Sequence, residues 1–210
     1  MPLPKLTESL IKETLAPWAK TFIIQEDGSS QTQLSNKGRF GFFTERLFGI
    51  MPNRDQAADY DGIEIKVVSV KNNRAKSISI GTISRNEQSH LRSLPSPQLS
   101  DSNAYKKMRK TLYIFYTTKK IIEEPHYSIV GWHLCDLTTL SNEDQIQLTR
   151  DFASCMSAVK RYHYDNLGRS GYQPGNVTFL DITYKGKEGY NYPCWKFTTA
   201  WMNKMYQLSK

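Results

Sequence analysis

Cysteine is scarce in this chain, and its spacing suits neither of its usual structural jobs. Cys135, Cys155 and Cys194 form no paired disulfide framework and follow no zinc-ligand spacing, so reduced thiols and no structural metal are expected. Long apolar runs are missing too. No stretch of about 18 apolar residues occurs, and no N-terminal apolar run follows a basic start, so neither a membrane span nor a secretory leader is expected. The expectation is a soluble protein of the cytoplasm with no membrane partner. The four histidines, His90, His126, His133 and His163, are scattered. They make no H-x-x-x-H, H-E-x-x-H or H-N-H arrangement, which argues against a histidine-metal nuclease or zinc hydrolase. A G-x-S-x-G elbow, a cysteine beside a base motif and a P-loop are all absent. Serine and cysteine hydrolases and an ATP motor are therefore set aside, and no nucleotide cofactor is expected. No aromatic RNA-binding consensus is visible either.

What the chain has is positive charge and enough apolar material for a core. Lys and Arg outnumber Asp and Glu 28 to 20, a formal charge of +8 over 210 residues. A surface of that sign favours a polyanion, because each neutralised phosphate releases condensed counterions. Hydrophobic residues make up 39% and aromatic residues 12%, which excludes global disorder. The length suits one domain, with two lobes around a cleft.

Hydrophobic periodicity gives the outline. Leu6, Leu10, Ile11, Leu15 and Trp18 predict an amphipathic helix over 6–21 that Pro17 bends or ends. Residues 25–37 read as a polar loop. In RFGFFTERLFGI (39–50), Phe40, Phe43, Leu47 and Ile50 share a helical face, with Gly49 near the end. DGIEIKVVSV (61–70) alternates like a strand, and SISIGTIS (77–84) reads as its hairpin partner. Residues 86–104, polar and carrying Pro95 and Pro97, read as a long loop. TLYIFYTT (111–118), HYSIVGWHL (126–134) and VTFLDITY (177–184) read as strands. Residues 142–164 predict a helix lined by Ile146, Phe152, Ala153, Met156 and Val159, and 195–208 a closing helix. The fold class expected is α/β, a mixed sheet flanked by helices. It divides into an N-terminal helix and loop (1–35), a central part (36–118) and a second half (119–210).

The chemistry concentrates in DYDGIEIKVV (59–68). Residues two apart on a strand share a face, so Glu64 and Lys66 project together. An acidic residue at the strand's start can fold back beside them, and spacing alone leaves Asp55, Asp59 and Asp61 open. Two carboxylates and the main-chain carbonyl of Ile65 offer oxygen ligands suited to Mg²⁺, with Mn²⁺ as a substitute. Lys66 then stands where an attacking water or the phosphorus centre would lie. The bland alternative is a solvent-facing E-x-K ion pair of little energetic worth.

NKGRFGFFTERLFG (36–49) followed by DYDGIEIKVV resembles the MutH-like endonucleases of the PD-(D/E)xK superfamily, which comprise a mismatch-repair nicking enzyme and related type II restriction enzymes. The matching positions are Lys37, Gly38, Gly41 and Glu45, then Asp59, Tyr60, Gly62, Ile63, Glu64, Ile65 and Lys66. YKKMRKTLYIFY is similar to the family's third block and puts Lys107 at its active-site lysine, with Lys106 or Lys110 in that place if the register slips. VTFLDITYKGKEGYN and YPCWKFTTAWMN resemble the C-terminal recognition region, through Tyr184, Lys185, Gly186 and Tyr192. Three departures stand out. The acidic residue sits two positions closer to G-I-E-I-K than in MutH itself. The second strand lacks the family's common glutamate. The turn before Phe197 is short.

The resemblance implies a restriction-endonuclease-like fold and these roles. Asp59 and Glu64 hold the metal, Lys66 positions or activates water, Glu45 completes the acidic cluster, Lys107 contacts the scissile phosphate, and Lys37 steadies the backbone nearby. Two further clusters are candidates for DNA contact. Lys160, Arg161, Tyr162, His163, Tyr164 and Arg169 end the long helix, and read either as a solvated helix end or as a phosphate-contacting edge. Lys185, Lys187, Tyr190, Tyr192 and Trp195 form the second, read as recognition; Trp132 and Trp201 are expected in the core. Double-stranded DNA is the expected partner, the chain a monomer or homodimer, and a DNA methyltransferase the implied companion. The activity expected is restriction-type cleavage at a short specific sequence. A MutH-type repair nickase and an inactive DNA-binding module are the alternatives.

Overall fold

The computed structural model describes residues 5–24, 36–50, 60, 62–121, 124–187 and 190–210. In chain order the elements are α1 (Glu8–Leu15), a 3₁₀ turn (Ala16–Ala19), β1 (Phe22–Ile23), α2 (Asn36–Leu47), β2 (Glu64–Lys71), β3 (Arg74–Ala75), β4 (Ile78–Thr82) and α3 (Arg85–Ser93). Then come a 3₁₀ turn (Leu99–Asp101), α4 (Asn103–Met108), β5 (Lys110–Ile121), β6 (Glu124–Asp136), α5 (Asn142–Arg161), β7 (Leu180–Lys187), β8 (Tyr190–Phe197) and α6 (Thr199–Leu208). They form two compact units, the first made of Met1–Ala75, Lys110–Cys135 and Met205–Lys210, the second of Lys76–Arg109 and Asp136–Lys204.

The first unit is built on a five-stranded sheet in the order β1-β6-β5-β2-β3. β2 runs parallel to β5, with Glu64 beside Thr111 and Lys66 beside Tyr113. One face of that pair, Ile65 with Leu112, Ile114 and Tyr116, packs with Ile11 and Leu15 of α1 and Phe40 of α2 into the core. Phe40 stacks on Tyr116 at 4.0 Å between ring centroids. Each such fully buried side chain contributes about 1.5–3 kcal/mol relative to exposure. Thr7 caps α1 by accepting from Leu10 N–H at 3.3 Å, and Pro17 falls in the 3₁₀ turn that ends it, as expected of a ring that cannot continue a helix. α2 stops in a Schellman closure. Ile50 N–H donates to the Glu45 carbonyl and Gly49 N–H to that of Arg46, both at 2.9 Å, with Gly49 at φ +70° in the region glycine tolerates best.

The second unit carries a three-stranded sheet in the order β4-β8-β7. Trp195 of β8 is stacked on Phe152 of α5 at 5.8 Å, and Phe197 on Trp201 at 5.2 Å. The buried Asp151 carboxylate accepts from the main-chain amides of Thr178, Phe179 and Leu180. It thereby satisfies three donors where the chain turns into β7.

Four expectations are corrected. Residues 78–82 do not form a hairpin with β2: β4 pairs with β8, while the antiparallel neighbour of β2 is the two-residue β3. Residues 86–104 are not a loop but hold α3, a 3₁₀ turn and the start of α4, started by the side chains of Ser84 and Ser102, which accept from Glu87 N–H and Tyr105 N–H. Residues 195–197 belong to a strand, and the last helix begins at Thr199. Ile146 and Ala153 lie on the exposed side of α5, whose buried positions include Leu148, Phe152, Cys155, Met156 and Val159. Trp201 is fully buried and Trp132 half-buried against the first core.

Candidate active site

β2 leaves a tight turn. Tyr60 N–H donates to the Ile63 carbonyl at 2.9 Å and Ile63 N–H to that of Tyr60 at 2.7 Å. Gly62 between them has φ +76°, a conformation that costs other residues strain. Tyr60 is 1% exposed, its ring edge-on to Phe48 at 6.5 Å. Packing alone thus accounts for the aromatic and the glycine of the motif: one anchors the turn, the other makes its corner.

The turn delivers Glu64 as the first residue of β2. Glu64 is fully buried, and Lys66 Nζ donates to its Oε1. The Lys66 side chain remains 24% exposed, so one end of the pair reaches solvent. Taking a carboxylate out of water is expensive, and a buried ion pair rarely stabilises more than an apolar pair of the same volume. Such a pair is therefore a weak source of stability. On the opposite face of β2, Gly41 of α2 lies over Val67, where an added Cβ would sit 3.8 Å from Cγ2.

The other sequence-nominated residues fall as follows. Glu45 is half-buried on the last turn of α2. Lys37 lies on the first turn of the same helix, its side chain outside the described residues. Asp59, with the alternatives Asp55 and Asp61, also lies outside the described residues. Lys106, exposed, and Lys107, half-buried, are on α4 in the second unit. Lys110 opens β5 in the first unit, one residue before the Thr111 that pairs with Glu64. Arg161 ends α5, exposed, with its guanidinium 5.9 Å from the Tyr162 ring centre.

β7 and β8 bring the second cluster together. Lys185 stands opposite Tyr192, and Lys187 opposite Tyr190. Lys185 and Tyr192 are exposed; the side chains of Lys187 and Tyr190 lie outside the described residues. Burial pushes the thiol of Cys194, on the same face, up, while Lys185 pulls it the other way. Trp195 does not belong with them. It is fully buried, and its Nε1 donates to Glu87 Oε1 at 3.0 Å, so the recognition role expected of it gives way to a core one. Sequence grouped Arg169 with the helix end, but the structure pairs it with Tyr184, a partnership that no spacing rule announces.

Among the described residues no group of three or more His, Cys, Asp and Glu side chains gathers. Glu64 and the Ile65 carbonyl are nonetheless hard oxygen donors of the kind Mg²⁺ takes, and Mg²⁺ needs few protein ligands because it keeps several waters. The donor set fits in chemical type.

No family model matches the chain, and no curated protein matches it. A solved structure that it resembles is the complex of the restriction endonuclease MvaI with its cognate DNA substrate. The likeness has a TM-score of 0.50 and covers 98% of each chain at 12% identity. The fold is therefore restriction-endonuclease-like, a mixed α/β architecture with a five-stranded mixed sheet and flanking helices.

Proposed function

We propose that the chain is a Mg²⁺-dependent endonuclease of restriction type, hydrolysing phosphodiester bonds of double-stranded DNA at a short sequence. The observation that carries this reading is the Glu64–Lys66 pair, a buried carboxylate held to a partly exposed ammonium on the parallel strand of a restriction-endonuclease-like sheet. A divalent ion bound there would supply a Lewis acid for the phosphoryl oxygen and a water of lowered pKa. Glu64 would hold that ion with the Ile65 carbonyl and Asp59. The ammonium of Lys66 would orient the attacking water and offset charge developing at phosphorus. Glu45, Lys37 and Lys107 enter by the MutH-like resemblance alone, and Mn²⁺ would substitute for Mg²⁺ at the same oxygen donors. The likeness to an enzyme seen on its cognate DNA and the +8 charge support DNA as the substrate.

The test is incubation of the purified chain with supercoiled plasmid and Mg²⁺, beside Lys66→Ala. Discrete linear fragments from the wild type and none from the variant are expected. Feeble nicking alone would favour the repair reading, and a wild type that binds duplex without cutting it would favour an inactive binding module. A Lys66→Ala protein that cuts at the wild-type rate would overturn the assignment.

A further inference from the structure

We infer that Arg169, presented by the loop 163–172, is a phosphate-contacting residue for the backbone of duplex DNA, an inference that rests on the reading above. The loop is tied down at every step. Leu167 N–H donates to the His163 carbonyl at 3.0 Å, Arg169 N–H to that of Asn166 at 3.0 Å, and Tyr172 N–H to that of Arg169 at 2.9 Å. Gly168 N–H closes the ring on the Tyr172 carbonyl at 2.9 Å. Leu167 is fully buried. Gly168, at φ +85°, lies so close to β7 that an added Cβ would sit 2.7 Å from the Thr183 carbonyl carbon. The loop therefore cannot drift from the strand. Arg169 is exposed on it, its guanidinium 4.4 Å over the Tyr184 ring and donating to Tyr184 Oη at 2.7 Å.

An arginine held this way has already lost much of its rotamer freedom, yet among the described residues only one of its donors is engaged, and the remainder suit an anion's oxygens. Among the described residues the guanidinium meets no carboxylate; Arg85, by contrast, pairs with Asp165 at 2.6 Å. Beside Arg169 opens a polar concavity of about 470 Å³, lined by Gly168, Ser170, Gln173, Thr183 and Tyr184, with exposed Lys185 next along β7. Hydroxyl and amide donors around one uncompensated guanidinium match a phosphodiester. Arginine and glutamine also read base edges, and the spread of the effect over duplex sequences separates the two roles.

The experiment measures binding of the full chain to several duplexes of unrelated sequence, in EDTA and again with Ca²⁺ in place of Mg²⁺, as a function of NaCl, for wild type, Arg169→Gln and Arg169→Lys. Losing one phosphate contact should lower the slope of log K against log salt by about 0.9 and weaken all duplex sequences alike, while Arg169→Lys recovers most of the slope. Unfolding curves that superpose with wild type show that the exposed substitution spares the fold. A wild type that binds duplex while Arg169→Gln keeps its slope and affinity overturns this inference and leaves the proposed function standing. A loss confined to particular sequences overturns the backbone assignment in favour of base reading. A wild type that binds no duplex at all overturns both.

Discussion

The Glu64–Lys66 pair predicts a separation of stability from activity. Two unit charges about 4 Å apart interact by about 4 kcal/mol at an effective dielectric near 20. Desolvation of the fully buried Glu64 and the 24% exposure of the Lys66 side chain offset much of this. Lys66→Met takes that cation away from a carboxylate that cannot reach water, and should cost about 2–3 kcal/mol at pH 7, at or just below the bottom of the range of about 3–5 kcal/mol for breaking a fully buried pair, because the Lys66 end reaches solvent. Glu64→Leu leaves an ammonium that still reaches solvent, and should cost about 1 kcal/mol. Carrying both changes, the chain holds an apolar pair of similar volume and should lie within about 1 kcal/mol of wild type, a coupling of about 2 kcal/mol between the sites. All three variants should fail to cleave plasmid. Urea unfolding followed by circular dichroism gives the cycle, and a gel assay with Mg²⁺ gives the activity. Costs that simply add in the double variant, or cleavage by it, would refute the claim that the pair is kept for chemistry.

Three further outcomes follow from the geometry. Burial lowers the His133 pKa from its ordinary value, with Glu8 opposing, so the unfolded chain takes up the proton first as pH falls below about 6.5. Wild type should therefore lose stability between pH 7.5 and 5.5, and His133→Gln should lose less, measured by urea midpoints at the two pH values. Gly62→Ala and Gly168→Ala both force a left-handed φ, but open space surrounds Gly62 while the Gly168 Cβ meets the β7 main chain at 2.7 Å. Thermal melts should show a loss of about 1–2 kcal/mol for the first and clearly more for the second; equal losses would discount the close approach. Cys155 is fully buried, donates its thiol to the Leu180 carbonyl at 3.7 Å, and has its pKa pushed well up by burial and by Asp181 and Asp151. A thiol reagent at pH 7.5 should therefore leave it unmodified until denaturant is added, and mass spectrometry of the Cys155 peptide reads this directly.

Elements that advertise themselves by periodicity were legible in the sequence. Phe40, Phe43, Leu47 and Ile50 marked α2, alternation marked β2, a short apolar and aromatic run marked β5, and the apolar stripe around Phe152 and Met156 marked α5. What stayed hidden has physical reasons. α3 and α4 are polar helices whose starts depend on serine caps at Ser84 and Ser102, and their few buried positions, Leu91 and Met108 among them, are too sparse to set a period. β8 carries Trp195 and Phe197 only two residues ahead of α6, so strand and helix merged into one aromatic run. At the site, the i, i+2 spacing foretold that Glu64 and Lys66 share a face. It did not tell that Glu64 is buried, which depends on what covers the strand.

That burial excludes the solvent-facing reading of the E-x-K pair, and the strand that carries the pair has a partner distant in sequence. β2 lies parallel to β5, and a parallel pair needs a crossover where an antiparallel one needs only a turn. Here the chain leaves the first unit at Ala75 and returns at Lys110, so the crossover consists of β4, α3 and α4, which belong to the second unit. The hairpin expected between β2 and residues 77–84 would have been local and quick to close, and would have left β2 with short-range partners. The observed arrangement defers burial of Glu64 until a long connection has closed, a cost that grows only slowly with length, about 0.6 kcal/mol for each doubling. In the unfolded chain Glu64 and Lys66 are two hydrated charges like many others. In the folded chain, with Thr111 and Tyr113 alongside on β5, the carboxylate is out of water while the ammonium reaches solvent, and the proposed chemistry uses that asymmetry.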